Sequence, residues 1–139
     1  HIGKRILEKL KLKIKKHDST AWQKLVSSIG KATKPVRIGI VGKYFTVGDF
    51  SMTDSYLSVI EAVKHAAWSA GHKPEITWIS SEEFETNPSK LSELSSYDGI
   101  IVPGGWGSRG IEGKIAPVQY CRENNIPYLA DTPSQKSTL

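Results

Sequence analysis

The stretch Gly99-Ile-Ile-Val-Pro-Gly-Gly-Trp-Gly-Ser-Arg-Gly110 decides the fold. A short apolar run, Gly99 to Val102, passes directly into a turn with four glycines among residues 104–110. The run reads as a buried strand. The glycines let the backbone take positive φ and approach a ligand closely, and such a turn can aim N–H groups at an anion. Ile111 to Asn124 follows as a helix with Pro117 as a kink or restart, and Ile126 to Leu129 as another strand. Strand, glycine turn, helix and strand in this order predict parallel pairing.

The same alternation extends upstream. Val36-Arg-Ile-Gly-Ile-Val-Gly42 reads as a buried strand, and a polar loop with Gly48 and Asp49 follows it. A helix then starts at Thr53 or Asp54 and ends at Gly71, with Tyr56, Val59, Ile60, Val63, Ala67 and Ala70 on its buried face. Glu75 to Ile79 is the next strand. Residues 80–97 read as a Ser/Glu-rich loop with a short helix around Leu91 and Leu94. The expected fold is α/β, a mostly parallel sheet covered on both faces. Ligands of such sheets sit outside the carboxyl ends of the strands, so the loops after Gly42, Ile79, Val102 and Leu129 are the candidate site.

The N-terminal segment differs in character. Residues 1–35 carry ten Lys/Arg and two Asp/Glu, whereas residues 36–139 carry nine and twelve. Ile2, Ile6 and Leu10 recur one helical turn apart, which predicts an amphipathic helix over 2–14, ended by His17 and Asp18. Thr20 opens a second helix in a capping box with Gln23, and Gly30 is its C-terminal cap. Trp22, Leu25, Val26 and Ile29 share one of its faces, and Lys31 to Pro35 reads as a linker. A basic arm can meet nucleic acid or an anionic membrane, but a solvated helix face is the simpler reading, and neither partner is expected. No apolar run approaches the roughly 18 residues that span a bilayer. With one cysteine among 139 residues, no internal disulfide can form, and a cytoplasmic location is expected.

Two ligand classes compete for the glycine turn. Gly105-Trp-Gly-Ser-Arg-Gly110 fits G-x-G-x-x-G, and Asp131 lies where a ribose-binding acid would sit. That fingerprint normally follows the first strand of its unit, whereas here a strand and a long helix precede it. Gly42-Lys43 is a poorer match to a phosphate-binding loop. The other reading is a turn that stabilises an oxyanion.

A longer resemblance bears on the choice. Val36 to Tyr44, Asp54 to Ala62, Lys64-His-Ala66, Asp98 to Lys114 and Arg122 to Leu129 resemble, in order and spacing, the glutaminase domain of the CTP synthase family. Residues 1–35 resemble, more loosely, the end of the synthetase domain and the interdomain linker. The resemblance implies a flavodoxin-like class I amidotransferase fold of three αβα layers, here incomplete, over residues 36–129. It implies a parent enzyme of pyrimidine biosynthesis, a ligase that makes CTP from UTP, ATP and glutamine, with Mg2+, GTP as activator and a homotetrameric assembly. It places Gly104, Gly105, Trp106 and Gly107 in the glutamine and oxyanion turn, with Trp106 where the family usually has Phe. Arg109, Gly110 and Glu112 match positions tied to the GTP response. Lys43, Tyr44, Asp54 and Tyr56 match a motif near the domain interface and receive no chemical role.

The resemblance stops after Leu129. The family pattern continues into a Gly-x-Cys-x-Gly elbow, whereas this chain reads Ala130-Asp-Thr-Pro-Ser-Gln-Lys-Ser-Thr-Leu139, an atypical tail. No nucleophile, and hence no catalytic residue, is expected, and the chain alone should be inactive. A non-catalytic binding module is the alternative. Cys121 lies mid-helix without an elbow or paired base, His65 and His72 belong to the long helix and its end, and Trp68 and Trp78 read as packing. No His/Cys/carboxylate set has metal-ligand spacing.

Overall fold

The structure is a computed structural model that describes residues 2–13, 18–43, 46–47, 50–51, 56–105 and 110–131. Two helices lead, α1 (Ile2–Lys9) and α2 (Thr20–Lys31). They are followed by β1 (Lys34–Gly42), the two-residue strands β2 (Thr46–Val47) and β3 (Phe50–Ser51), and α3 (Leu57–Ser69). Next come β4 (His72–Ser80), α4 (Ser81–Thr86), a 3₁₀ helix (Pro88–Ser96), β5 (Gly99–Val102), α5 (Glu112–Glu123) and β6 (Tyr128–Ala130).

The main sheet has the order β4-β1-β5-β6, and every pairing is parallel. Period-two alternation divides the apolar residues between its two faces. Val41, Ile79, Ile100 and Val102 pack with Phe84, Leu94 and Cys121 on the face covered by α4, the 3₁₀ helix and α5. Ile38, Ile40, Ile76, Trp78 and Ile101 pack with Tyr56 and Val59 on the face covered by α3. Helices on both faces of a parallel sheet make the three layers expected from the alternating pattern.

Several expected boundaries shift. β4 starts at His72 rather than Glu75, because all nine of its residues pair with Lys34–Gly42. Gly71, at φ +75°, ends α3 as expected. Ala70 is exposed rather than on the buried face, because it already lies beyond the last helical turn. The expected start of α3 at Thr53 or Asp54 lies outside the described residues. The polar loop after β1 contains an antiparallel pairing of Thr46–Val47 with Phe50–Ser51. Residues 81–96 are helical almost throughout. α5 runs without interruption through Pro117, whose ring is fully buried.

The N-terminal helices depart furthest. α1 ends at Lys9, and Lys11 takes the left-handed φ of 52°, five residues short of the expected end. Ile2, Ile6 and Leu10 stay exposed, so among the described residues no packing of this stripe offsets the repulsion among the lysines or extends the helix. Ser19, not Thr20, is the N-cap of α2. Gln23 Nε2 donates to Ser19 Oγ at 2.9 Å, and Asp18 Oδ1 accepts from the Thr20 N–H at 2.9 Å. Gly30 is inside the helix, which ends one residue later and is capped at Ala32. Ala32 is itself buried, so the linker shrinks to Ala32 and Thr33 between α2 and β1.

Candidate functional site

From β1 the chain moves outward to β4, then returns past β1 to β5 and continues outward to β6. The connections therefore diverge between β1 and β5, and the crevice at the carboxyl ends of these strands is the natural ligand position of the sheet. Gly42 and Lys43 enter it from β1, Pro103, Gly104 and Gly105 from β5, Ser81 from the end of β4, and Asp131 from the end of β6.

Gly104 and Gly105 are half-buried directly beyond β5. Asp131 closes over the first of them. Its N–H donates to the Val102 carbonyl at 3.0 Å, and its Oδ2 lies 2.6 Å from where a Cβ on Gly104 would stand. A side chain at 104 would strike the carboxylate, which would then have to swing away from the turn. The turn re-enters the described residues at Gly110, which is buried at φ +72°. A Cβ there would meet Ser81 Oγ at 2.8 Å and Lys43 Cβ at 3.4 Å. Gly110 thus joins the ends of β1 and β4 in one corner. Ser81 is fully buried, and its hydroxyl has no hydrogen-bond partner among the described residues.

The first turn of α5 is clamped onto α4. The Gly113 N–H donates to Glu85 Oε1 at 3.1 Å, and the Ser81 carbonyl stands where a Cβ on Gly113 would have to go. Lys114 follows. It is 7% exposed, and its Nζ donates to the Pro103 carbonyl at 2.5 Å. Burial holds its pKa below the ordinary lysine value, and the charge of Lys43 acts in the same direction. Asp131 pulls the other way. The crevice therefore combines two ammonium groups, one carboxylate and a glycine turn whose first carbonyl is held from below.

Of the site residues expected from sequence, the fold brings Gly104, Gly105 and Gly110 together with Lys43. Glu112 is exposed at the first position of α5. Trp106, Gly107, Arg109, Tyr44 and Asp54 lie outside the described residues. Tyr56 is buried under α3, its ring centroid 6.4 Å from that of Trp78, on the opposite face of the sheet from α5. Cys121 is fully buried in the core, where burial raises its thiol pKa, so it offers no accessible thiolate. His65 lies 5.7 Å from Trp68 on α3, and His72 Nδ1 is 2.8 Å from the Ala70 carbonyl at the start of β4. Neither belongs to the crevice.

Sequence reasoning missed Lys114, Ser81 and the contact of Asp131 with the turn. A signal for Lys114 existed. It lies three residues before Pro117 and seven before Cys121, on the buried stripe of α5. Nothing local marked Ser81, whose place depends on where α4 and α5 meet.

The profile described as "Glutamine amidotransferase class-I" matches residues 51–130. The CTP synthase of Methanococcoides burtonii is 46% identical over 124 residues, which cover 89% of this chain and 22% of that protein. That of Pyrococcus furiosus is 46% identical over 128 residues, 92% of this chain and 22% of that protein. That of Bacillus subtilis is 40% identical over 129 residues, with 92% and 23% covered. The chain thus spans less than a quarter of the length of these relatives. Among solved structures, "Trypanosoma brucei CTPS - glutaminase domain with bound acivicin" superposes with a TM-score of 0.59 at 40% identity, covering 68% of this chain and 35% of that one.

Proposed function

The chain belongs to the class I glutamine amidotransferase family, and from that premise we propose that it is the part of a CTP synthase that carries the oxyanion-side half of the glutaminase site. The observation that carries the reading is the position of Gly104 and Gly105, at the carboxyl end of β5 beside the switch point, in a chain 39–46% identical to several CTP synthases. Gly104, Gly105, Trp106 and Gly107 form the glutamine turn. Backbone N–H groups there would donate to the amide carbonyl of glutamine and, as attack proceeds, to its oxyanion. Arg109, Gly110 and Glu112 contribute to the response to GTP.

The nucleophile is not Cys121. Attack on a side-chain amide needs a thiolate within reach of the turn, and this thiol is enclosed in the core. The 139-residue chain by itself is therefore a glutamine-binding half-site without turnover. In the whole protein, ammonia released at the completed site would pass to an amidoligase part that uses UTP, ATP and Mg2+. Residues 1–35 are the border to that part, and a cytoplasmic homotetramer is the proposed assembly.

The test is a glutamine titration of the isotope-labelled chain, followed by NMR at Gly104 and Gly105, with an ammonia-release assay in parallel. Saturable shifts confined to the crevice without ammonia are the expected outcome. Ammonia release that disappears in Cys121→Ser would refute the half-site reading. Shifts with NADH but not with glutamine would favour the dinucleotide alternative.

A further inference from the structure

We propose that Lys114 is the positioning residue of the glycine turn: by holding the Pro103 carbonyl, its ammonium sets the direction in which the Gly104 N–H faces its ligand. The inference rests on the glutamine reading only for the identity of that ligand.

The geometry is that of one peptide unit. The carbonyl of Pro103 and the N–H of Gly104 belong to the same planar amide, in which a trans bond points them in opposite directions. Lys114 Nζ fixes the carbonyl end at 2.5 Å. The Gly104 N–H must then point away from α5. Without this bond, the plane between a proline and a glycine would have few other restraints, since Gly104 has no side chain to anchor it. Pro103 and Lys114 are both buried, so water does not replace the bond.

Lysine suits this role because a charged donor makes a stronger bond to a carbonyl than a neutral one. Asp131 offsets part of the cost of burying its ammonium. Among the described residues, the charged groups around it are Lys43 from the end of β1 and Asp131 after β6. Glu85 of α4 is bonded to the neighbouring Gly113 N–H. A lysine kept only for solubility would lie on the exposed side of α5 with Arg122 and Glu123, not on the stripe that holds Pro117 and Cys121.

The test uses NMR on the full 139-residue chain. In the unaltered protein, the Lys114 side chain, the Pro103 carbonyl carbon and the Gly104 amide nitrogen are followed through alkaline pH. All three are expected to titrate with one midpoint, below the ordinary lysine range, while the Gly71 and Gly99 amides stay flat. The same co-titration in Lys43→Met assigns the midpoint to Lys114. In Lys114→Met the Pro103 and Gly104 resonances should move and lose their pH dependence, and Lys114→Arg should return them toward their original positions. The glutamine titration of Lys114→Met should show affinity weakened by about tenfold, the loss of one charge-assisted restraint.

Flat Pro103 and Gly104 resonances through the titration of Lys114 would overturn the proposal, and this arm needs no variant to fold. Unmoved resonances in a folded Lys114→Met would do the same. Co-titration with no response to glutamine would leave the positioning role standing and refute the glutamine reading instead.

Discussion

Replacing Gly113 by alanine adds one methyl group to the first turn of α5, and the structure sets the size of the effect. The methyl would occupy the position of the Ser81 carbonyl, and the Glu85 side chain comes within 3.1 Å of it. A backbone carbonyl at the junction of β4 and α4 cannot rotate away as a side chain can, so α5 or α4 must shift. Overpacking of this kind costs about 1–3 kcal/mol. The shift also stretches the bond from the Gly113 N–H to Glu85, worth about 1 kcal/mol. Against this, alanine gains at most about 1 kcal/mol of helix propensity over glycine. The net expectation is a loss of about 1–3 kcal/mol. With a urea m-value of about 1–3 kcal/mol/M, the unfolding midpoint falls by roughly 1 M at unchanged slope. Gly30→Ala is the matched control. Gly30 lies inside α2, is exposed, and has nothing within 4 Å of a Cβ, so the propensity gain of up to about 1 kcal/mol acts alone. Helix content by circular dichroism should rise. A midpoint for Gly113→Ala equal to or above that of the unaltered chain would refute the reasoning, because the carbonyl contact would then not constrain the α4–α5 junction.

Asp98 accepts from the Arg37 N–H at 2.8 Å and from Arg37 Nη2 at 3.5 Å, and these bonds, the backbone one first, hold its carboxyl below the usual carboxylate pKa. The stability they contribute is present above the ordinary value, near pH 4, and is lost as pH falls through the lowered one. Asp98→Asn should therefore flatten the acid limb of a urea midpoint-versus-pH curve, and an unchanged limb would count against the linkage. Burial raises the Cys121 pKa, so its contribution is intact below the ordinary thiol value of about 8.5 and is lost as pH rises toward the raised one. A thiol reagent should label Cys121 only as fast as the chain opens, and prompt labelling of the folded protein would contradict its place in the core. Ile2 at 77%, Ile6 at 51% and Trp22 at 70% exposure leave α1 and the outer face of α2 without cover among the described residues. Their amides should exchange quickly in the monomer, and strong protection would show that a partner surface for these helices already exists in this chain.

The sequence by itself determined the elements in which local pattern and tertiary demand agree. Gly99–Val102 and the helix beginning near Ile111 could be read because an apolar run, a glycine turn and an amphipathic period leave no other regular structure for those residues. The kinship with class I amidotransferases lay in the order of motifs along the chain, which needs no coordinates. What local pattern cannot carry is the strength of partners far along the chain. β4 gains four residues because β1 offers nine paired positions, and α1 ends several residues early because nothing among the described residues covers its stripe. The same distinction runs through the site. Gly104, Gly105 and Gly110 announced themselves by composition, and at Gly110 the φ of +72° shows why glycine stands there. Lys114, Ser81 and Asp131 acquire their roles from contacts with Pro103, Gly110 and Gly104. Those contacts exist only once a parallel sheet has brought the carboxyl ends of its four strands to one edge and α5 has packed against α4.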